Sequence, residues 1–145
     1  MLLDLEPVRA VGTAVSGDWS RLTVLVRDAL RVHRRHRSDP VALLDALGGG
    51  SVAELTGLLA RAAERRTPVV LDGSPLVAAA ALVAARLAPG AAAWWLAGQA
   101  PPSPAGRACH RELGLSPLLD LGLSAPEGAD LAQVVLVAGV DLARA

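Results

Sequence analysis

Apolar residues recur every three or four positions in the first half of the chain, which is the spacing of amphipathic helices. After an irregular segment over residues 1–17, this spacing predicts helices over Trp19–Arg35, from Pro40 to Leu47 and from Ser51 onwards. Asp39 before Pro40 is typical of a helix start, because the carboxylate caps free N–H groups and proline fits the first helical position. The second helix is expected to stop at Gly48–Gly50.

The second half of the chain contains short, continuous apolar runs instead. Such runs are typical of parallel strands that are buried on both faces, and they predict strands over Pro68–Leu71, Ala92–Ala97 and Pro117–Leu121. Helices are expected between and after them, from Ser74–Pro75 to Pro89–Gly90, from Ser103–Pro104 to Gly114 and over Pro126–Leu142. This alternation predicts a single α/β domain over residues 1–145, with a short parallel sheet and helices on both faces.

Ligands of parallel sheets bind beyond the carboxyl ends of the strands. Those ends are the loops at Asp72–Gly73, at Gly98–Gln99 and at residues 122–127. Gly73 has no Cβ, so a substrate could approach its backbone closely. A capped turn into the next helix would explain Asp72–Gly73 equally well, and both interpretations stay open.

One carboxylate, Glu127, stands between Pro126 and Gly128 where the last predicted helix begins. An acidic residue is favoured in a first helical turn by the helix dipole. A partly desolvated carboxylate at the edge of a sheet can also act as a general base towards a ring nitrogen. The residues by themselves favour the plain helix start.

Gly48, Gly49 and Gly50 precede a helix, and such a loop can let backbone N–H groups approach a phosphate. The surrounding residues match neither the dinucleotide fingerprint nor the P-loop pattern. A simple turn between two helices is the alternative interpretation.

Charge and cysteine content exclude several classes of function. The formal net charge is zero, so nothing global attracts nucleic acid or acidic lipid. The basic string RVHRRHR ends a predicted helix, where cations complement the dipole. One cysteine, Cys109, cannot form an internal disulfide, which makes a reducing cytoplasm the expected location. It is expected to be buried and inert.

Neither a metal site nor a membrane span is expected. His33, His36 and His110 do not have convincing metal-ligand spacing, and no cysteine or carboxylate cluster joins them. The longest apolar run, Leu76–Ala85, is about half of the roughly 20 residues that a spanning helix needs. No cofactor is indicated either.

Several strings, taken in order, resemble one enzyme family. They are PVVLDG, an alanine-rich helix ending in AARLAPG, LGLSPLLDLGL, and Glu127–Gly128. Together with Asp39–Pro40 and LGG at residues 47–49, they resemble the C-terminal part of nicotinate-nucleotide–dimethylbenzimidazole phosphoribosyltransferases. The resemblance covers roughly residues 13–142.

The resemblance implies a Rossmann-like three-layer α/β/α fold and a homodimer. Family enzymes transfer phosphoribose from nicotinate mononucleotide to 5,6-dimethylbenzimidazole during cobalamin nucleotide-loop synthesis. Glu127–Gly128 falls on the family's catalytic glutamate motif, which implies that Glu127 is the base. The family's phosphoribosyl site implies substrate contacts at Gly48, Gly49, Asp72, Gly73, Gly98, Gln99 and Gly128.

The chain departs from the family pattern at polar positions. Around Glu127 the family's R-L-G-E-G motif loses its arginine, and the histidine, serine and glutamate expected within Ala97–Ser103 are replaced. The glycine-rich nucleotide motif of the family and its more N-terminal segments have no counterpart. The chain is therefore expected to be a partial or divergent phosphoribosyltransferase domain, completed by homodimerisation or by a chain that supplies the N-terminal half. The alternative is a non-catalytic module that binds a nucleotide or a protein.

Overall fold

A computed structural model describes residues 2–3, 5–12 and 18–122 of the chain. The predicted helix Pro126–Leu142, Glu127 and Gly128 lie outside the described residues.

Helices make up most of the described chain, as the sequence pattern indicates. In chain order the elements are α1 (Pro7–Val11), α2 (Trp19–Val32), α3 (Pro40–Leu43), α4 (Gly49–Glu64), β1 (Val69–Leu71), α5 (Pro75–Leu87), β2 (Trp95–Ala97) and α6 (Pro104–Glu112). Short 3₁₀ turns occupy Arg34–His36 and Ala91–Trp94, and a π-helical turn occupies Leu44–Gly48. The predicted α/β class is confirmed.

Side-chain caps fix the start of three helices where the sequence places them. Asp39 Oδ1 accepts hydrogen bonds from the backbone N–H groups of Val41 and Ala42, both at 3.0 Å. Ser74 and Ser103 cap α5 and α6 in the same manner, and each is followed by proline at the first helical position.

Two predictions about the N-terminal half are wrong. Residues 1–17 are not wholly irregular, because Pro7 starts the short helix α1, which Gly12 ends with a φ of 70°. The second helix does stop at Gly48–Gly50, as predicted, but these glycines do not form a separate loop. The π-helical turn leads directly into α4, and only Gly49, with a φ of 66°, leaves the helical conformation.

The two strands form a parallel pair in which Val70 lies opposite Leu96. The predicted strand Ala92–Ala97 is shorter than expected, because its first residues continue from the left-handed Gly90 into a 3₁₀ turn. The predicted third strand, Pro117–Leu121, is reduced to one parallel bridge between Leu119 and Gln99. Pro117 has no N–H to donate, which limits the length of this pairing.

The core lies between α4, α5 and one face of the sheet. Its buried members are mostly aliphatic and small, and they are Leu59, Ala63, Leu71, Ala80, Ala81, Ala84, Ala91 and Trp95. Alanines on α5 let this helix pack closely against α4, so the core is dense although it contains neither Phe nor Tyr.

One helical run among the described residues, Pro40–Glu64, is long and apolar enough to cross a membrane by length and composition. It is not one straight helix, because Gly49 breaks it, and its residues Thr56, Leu59 and Ala63 are buried. A core helix passes the same test, so the run is weak evidence for a membrane span.

Replacing Leu59 by alanine tests the core. We expect Leu59→Ala to lower the free energy of unfolding by about 2–5 kcal/mol, because the side chain is buried and leaves a cavity. Leu58→Ala is the matched control, since the neighbouring Leu58 is 57% exposed and its loss should change stability by less than about 0.5 kcal/mol. Urea unfolding measures both, and equal effects would contradict this description of the core.

Candidate functional site

The carboxyl ends of the two strands lie side by side, as expected of a parallel sheet. After β1 the chain continues into Asp72–Ser74, and after β2 into Gly98–Ala100. The Gly98 N–H donates to the carbonyl oxygen of Leu71 at 2.9 Å, which extends the pairing beyond the strands. The structure therefore brings together Asp72–Gly73 and Gly98–Gln99, and we call these two loops the sheet edge.

Gly73 is required at the sheet edge because the chain itself approaches its backbone. Its φ is +79°, and a Cβ placed there would lie 2.6 Å from the carbonyl oxygen of Gln99. Such a contact is far inside the van der Waals distance, and the backbone oxygen cannot rotate away. The close approach that the sequence suggested for a substrate is made at this point by Gln99.

The carboxylate of Asp72 is engaged in the local turn. Its Oδ1 accepts a hydrogen bond from the Ser74 N–H at 2.8 Å, and the Ser74 hydroxyl accepts one from the Val77 N–H at 3.2 Å. Residues Asp72–Ser74 therefore form a capped turn that leads into α5, which is one of the two interpretations of the sequence. Asp72 is half-buried, and Gly73 and Ser74 are buried.

Gln99 is the most enclosed polar residue of the sheet edge, with an exposed fraction of only 1%. With its amide oriented to satisfy both groups, Nε2 donates to the carbonyl oxygen of Leu119 at 3.3 Å, and Oε1 accepts from the Leu121 N–H at 3.2 Å. The side chain thus holds the segment that leads to Gly122. The sequence predicts a substrate contact at Gln99, and in the described structure its buried amide contacts the backbone of Leu119 and Leu121.

Gly48 and Gly49 lie on a different part of the surface. Gly48 lines an apolar cavity of about 320 Å³ between α2, the α3–α4 run and α5. Gly49 lines a shallow depression together with Gly50 and Asp45. Among the described residues, neither cavity is lined by a residue of the sheet edge.

An exposed ion pair that the sequence did not indicate joins α6 to the chain just before Gly122. Both terminal nitrogens of Arg107 on α6 donate to the carboxylate of Asp120, each at 2.8 Å. The hydrogen bonds from Arg107 lower the pKa of Asp120. No local pattern connects two residues so distant along the chain, so only the fold reveals this pair.

His110 and Cys109 are buried on α6. His110 is 3% exposed, and neither ring nitrogen has a hydrogen-bond partner in the described part of the chain. Burial lowers the pKa of His110, because the charged imidazolium loses its hydration. Burial also raises the pKa of the Cys109 thiol to about 11, so the thiol is protonated at neutral pH, and its predicted burial is confirmed.

Within residues 2–3, 5–12 and 18–122, no three or more His, Cys, Asp or Glu side chains come together in a way that could hold a metal ion.

The geometry defines a small α/β domain whose loops meet at the carboxyl edge of a parallel sheet. Residues 1–144 match the family described as phosphoribosyltransferase. The chain belongs to the phosphoribosyltransferase family that comprises the nicotinate-nucleotide–dimethylbenzimidazole enzymes, and the resemblance noted in its sequence is confirmed.

Relatives of known name support this assignment. The chain is 48% identical over 134 residues to the nicotinate-nucleotide–dimethylbenzimidazole phosphoribosyltransferase of Mycobacterium avium (strain 104), covering 90% of this chain and 38% of the relative. It is 47% identical over 144 residues to the enzyme of the same name from Mycobacterium ulcerans (strain Agy99), covering 96% and 40%. The chain thus spans about two fifths of the length of the curated relatives it matches.

A solved structure agrees in fold. The crystal structure of CobT from Thermus thermophilus superposes with a TM-score of 0.81 and 34% sequence identity, covering 94% of this chain and 42% of that chain. The described fold is therefore that of one part of a larger family architecture.

Replacing Gly73 tests the contact at the sheet edge. We expect Gly73→Ala to cost about 1–3 kcal/mol of stability, because the new Cβ meets the Gln99 carbonyl and a positive φ strains alanine. Gly57→Ala is the control, since a Cβ in the middle of α4 meets nothing within 4 Å and should stabilise by about 0.5–1 kcal/mol. Urea unfolding measures both variants, and changes in the free energy of unfolding with the same sign would contradict the contact between Gly73 and Gln99.

His110 makes stability depend on pH. Its pKa in the folded chain lies below the ordinary 6.5, so the unfolded chain binds more protons between these values. The neutral, buried His110 therefore contributes to the stability of the folded chain. This stability is fully present above the unfolded pKa and is lost as the pH falls through the folded pKa. We expect His110→Leu to reduce the loss of stability between about pH 7.5 and pH 5. His33→Leu, at the end of α2, is the control, and identical pH profiles for His110→Leu and wild type would contradict the prediction.

Proposed function

We propose that this chain forms part of an enzyme site that transfers phosphoribose from nicotinate mononucleotide to 5,6-dimethylbenzimidazole. The observation that carries the proposal is the 48% identity to a relative named for this pair of reactants. The sheet edge supports it, because the carboxyl ends of parallel strands are where α/β proteins bind small molecules.

Glu127 is the proposed base of this reaction. One benzimidazole nitrogen attacks the ribose C1, the bond from C1 to the pyridine nitrogen breaks, and nicotinate leaves with the electron pair. The other benzimidazole nitrogen loses its proton, which a carboxylate near the sheet edge can accept. Support comes from the position of the preceding segment. Its backbone pairs with Gln99 through the Leu119 bridge, and Gln99 and Arg107 hold it there through side-chain contacts.

Glycine backbones are the proposed contacts of the phosphoribosyl group. Gly49 has a positive φ and lies exposed beside Gly50, so no side chain at these two positions would keep a phosphate from the backbone. The resemblance adds Gly48, Gly128 and the loops Asp72–Gly73 and Gly98–Gln99 to the proposed set. Because Gly48 and Gly49 lie on a different part of the surface from the sheet edge, the two groups of residues would contact different parts of the substrates. Because Gly98 and Gln99 are buried, their contribution to binding would come from shaping the sheet edge rather than from exposed side chains.

The site is proposed to be completed by a second polypeptide region, in a homodimer or through a chain equivalent to the N-terminal half of the relatives. Matches cover only 38–42% of those proteins, so the larger part of each relative has no aligned residue here. We propose a cytoplasmic location, with small molecules rather than nucleic acid or membrane as ligands.

A non-catalytic nucleotide-binding module is the second candidate. The observation that favours it is the loss of polar residues at the sheet edge. Gln99 replaces the family's histidine, and its amide is occupied by the backbone of Leu119 and Leu121. Such a module would bind the nucleotide without requiring a carboxylate base.

Isothermal titration with α-ribazole 5′-phosphate and with nicotinate mononucleotide tests both candidates. The free ring nitrogen of the ribazole is an acceptor, so it would accept a hydrogen bond from the Glu127 carboxyl group that has taken up the proton. We expect Glu127→Ala to weaken binding of the ribazole by about threefold to tenfold, because a neutral hydrogen bond contributes about 0.5–1.5 kcal/mol. Glu54→Ala removes an exposed carboxylate of α4 and should leave binding unchanged.

The outcomes separate the candidates. If Glu127→Ala and wild type bind both ligands with equal affinity, the proposed role of Glu127 as the base is contradicted and the non-catalytic module is favoured. Absence of binding at millimolar ligand would contradict both candidates for the isolated chain.

A further inference from the structure

The basic segment that follows α2 takes no part in the proposed reaction. Residues 31–37 contain four arginines and no carboxylate, and the arginines are Arg31, Arg34, Arg35 and Arg37. Among the residues that the structure describes, none of these guanidinium groups forms an ion pair. The positive charge of this segment is therefore uncompensated on the described surface.

The fold brings one more arginine to the end of this segment. A cleft of about 240 Å³ is lined by Arg37, Ser38 and Arg86, and Leu2 and Pro40 border it. Arg86 lies in the last turn of α5, so no local sequence pattern connects it with Arg37. Two guanidinium groups on one cleft repel each other, and an anion bound between them would relieve this repulsion. We call this cleft the arginine cleft.

Several hydrogen-bond donors of the arginine cleft are not used by the protein. In the described part of the chain, the Arg37 guanidinium and the Ser38 hydroxyl have no hydrogen-bond partner. Arg86 Nη2 donates to Glu112 at 2.7 Å, which leaves the other N–H groups of Arg86 free to donate. The planar fork of a guanidinium group matches the oxygens of a phosphate group, and a hydroxyl adds one further donor.

The carboxylate that follows the basic segment is engaged elsewhere. Asp39 does not line the arginine cleft, and its Oδ1 accepts hydrogen bonds from the N–H groups of Val41 and Ala42, both at 3.0 Å. These donors hold the carboxylate at the start of α3 and offset part of its charge. Asp39 therefore repels an anion in the cleft less than an unbonded carboxylate would.

The arginine cleft is separate from the sheet edge. The helix α5 begins at Pro75, directly after the loop Asp72–Ser74, and Arg86 lies near its other end. With a rise of about 1.5 Å per residue, the helix places Arg86 about 16 Å from Pro75 along its axis. The cleft also shares no lining residue with the depression at Gly49. A ligand bound here would therefore occupy a second site.

We propose that the arginine cleft binds the phosphate group of a small soluble molecule. Arg37 and Arg86 recognise the group through charge-assisted N–H···O hydrogen bonds, and the Ser38 hydroxyl donates a further one. The site goes beyond the proposed transfer reaction and does not depend on it, because no residue of the sheet edge takes part. Inorganic phosphate and a phosphate monoester offer the same chemistry, and the experiment separates these two sources.

Heteronuclear NMR titration of the full chain with inorganic phosphate and with ribose 5-phosphate tests the site. The ionic strength is held constant with sodium chloride, because salt screens exposed charges. We expect saturable shifts of the amide signals of Arg37, Ser38 and Leu87. Equal affinity for the two probes would identify free phosphate as a sufficient ligand, whereas tighter binding of ribose 5-phosphate would identify a monoester, and either result supports the proposal.

Arg37→Gln is the main variant, and it changes an exposed residue, so the fold should be retained. We expect it to weaken phosphate binding about tenfold or more, because it removes charge-assisted hydrogen bonds. Arg31→Gln is the matched control, since it removes the same charge from the same segment at a residue that does not line the cleft. It should change the affinity by less than about twofold. Equal weakening by both variants would indicate diffuse attraction and overturns the proposal.

Glu112→Gln tests the same cleft in the opposite direction. It releases Arg86 from its exposed ion pair, so we expect phosphate to bind about twofold to fivefold more tightly. Glu64→Gln releases Arg61 on α4 in the same manner and should leave the affinity unchanged. An unchanged or lower affinity of Glu112→Gln overturns the proposal. So does the absence of saturable shifts at millimolar phosphate, or shifts confined to the sheet edge or to the turn at Gly49.

Discussion

The contact between the Gly73 backbone and the carbonyl oxygen of Gln99 is the constraint on which the described fold depends. The paired strands are only three residues long, so they have few hydrogen bonds with which to fix their position. The two loops that follow them continue the association by direct backbone packing and by the bond from Gly98 to Leu71. The buried amide of Gln99 then forms hydrogen bonds with the backbone of the third segment, at Leu119 and Leu121, and so positions it beside β2. One glycine, Gly73, and one glutamine, Gln99, therefore hold together the two loops after the strands and the segment that contains Leu119.

Much of the fold could be predicted because its signals are local. Continuous apolar runs indicated the positions of both strands, and Asp39, Ser74 and Ser103 marked helix starts through capping. The glycine-rich stretch was misjudged because glycine is permissive, and neighbouring helices can hold Gly48 in a helical conformation. The length of the third strand was overestimated, because an apolar run in the sequence does not reveal how many of its residues pair with a neighbouring strand.

The candidate site could be predicted only in outline. The carboxyl ends of parallel strands must meet, so the proximity of Asp72–Gly73 and Gly98–Gln99 follows from topology. The direction of the Gln99 side chain, the pair of Arg107 with Asp120 and the burial of His110 are tertiary contacts between distant residues, for which a single sequence carries no signal. Family resemblance supplied the candidate role of Glu127, and residue chemistry alone favoured a plain helix start there.

The alanine face of α5 has a consequence for how this domain can change over evolutionary time. Ala80, Ala81 and Ala84 have no exposed surface, so the distance between α4 and α5 is set by single methyl groups. A larger side chain at any of these positions would have to push an entire helix outward, and several neighbours would have to shrink together to restore the fit. Divergence should therefore accumulate in the loops and at polar positions, while this pair of helices keeps its spacing.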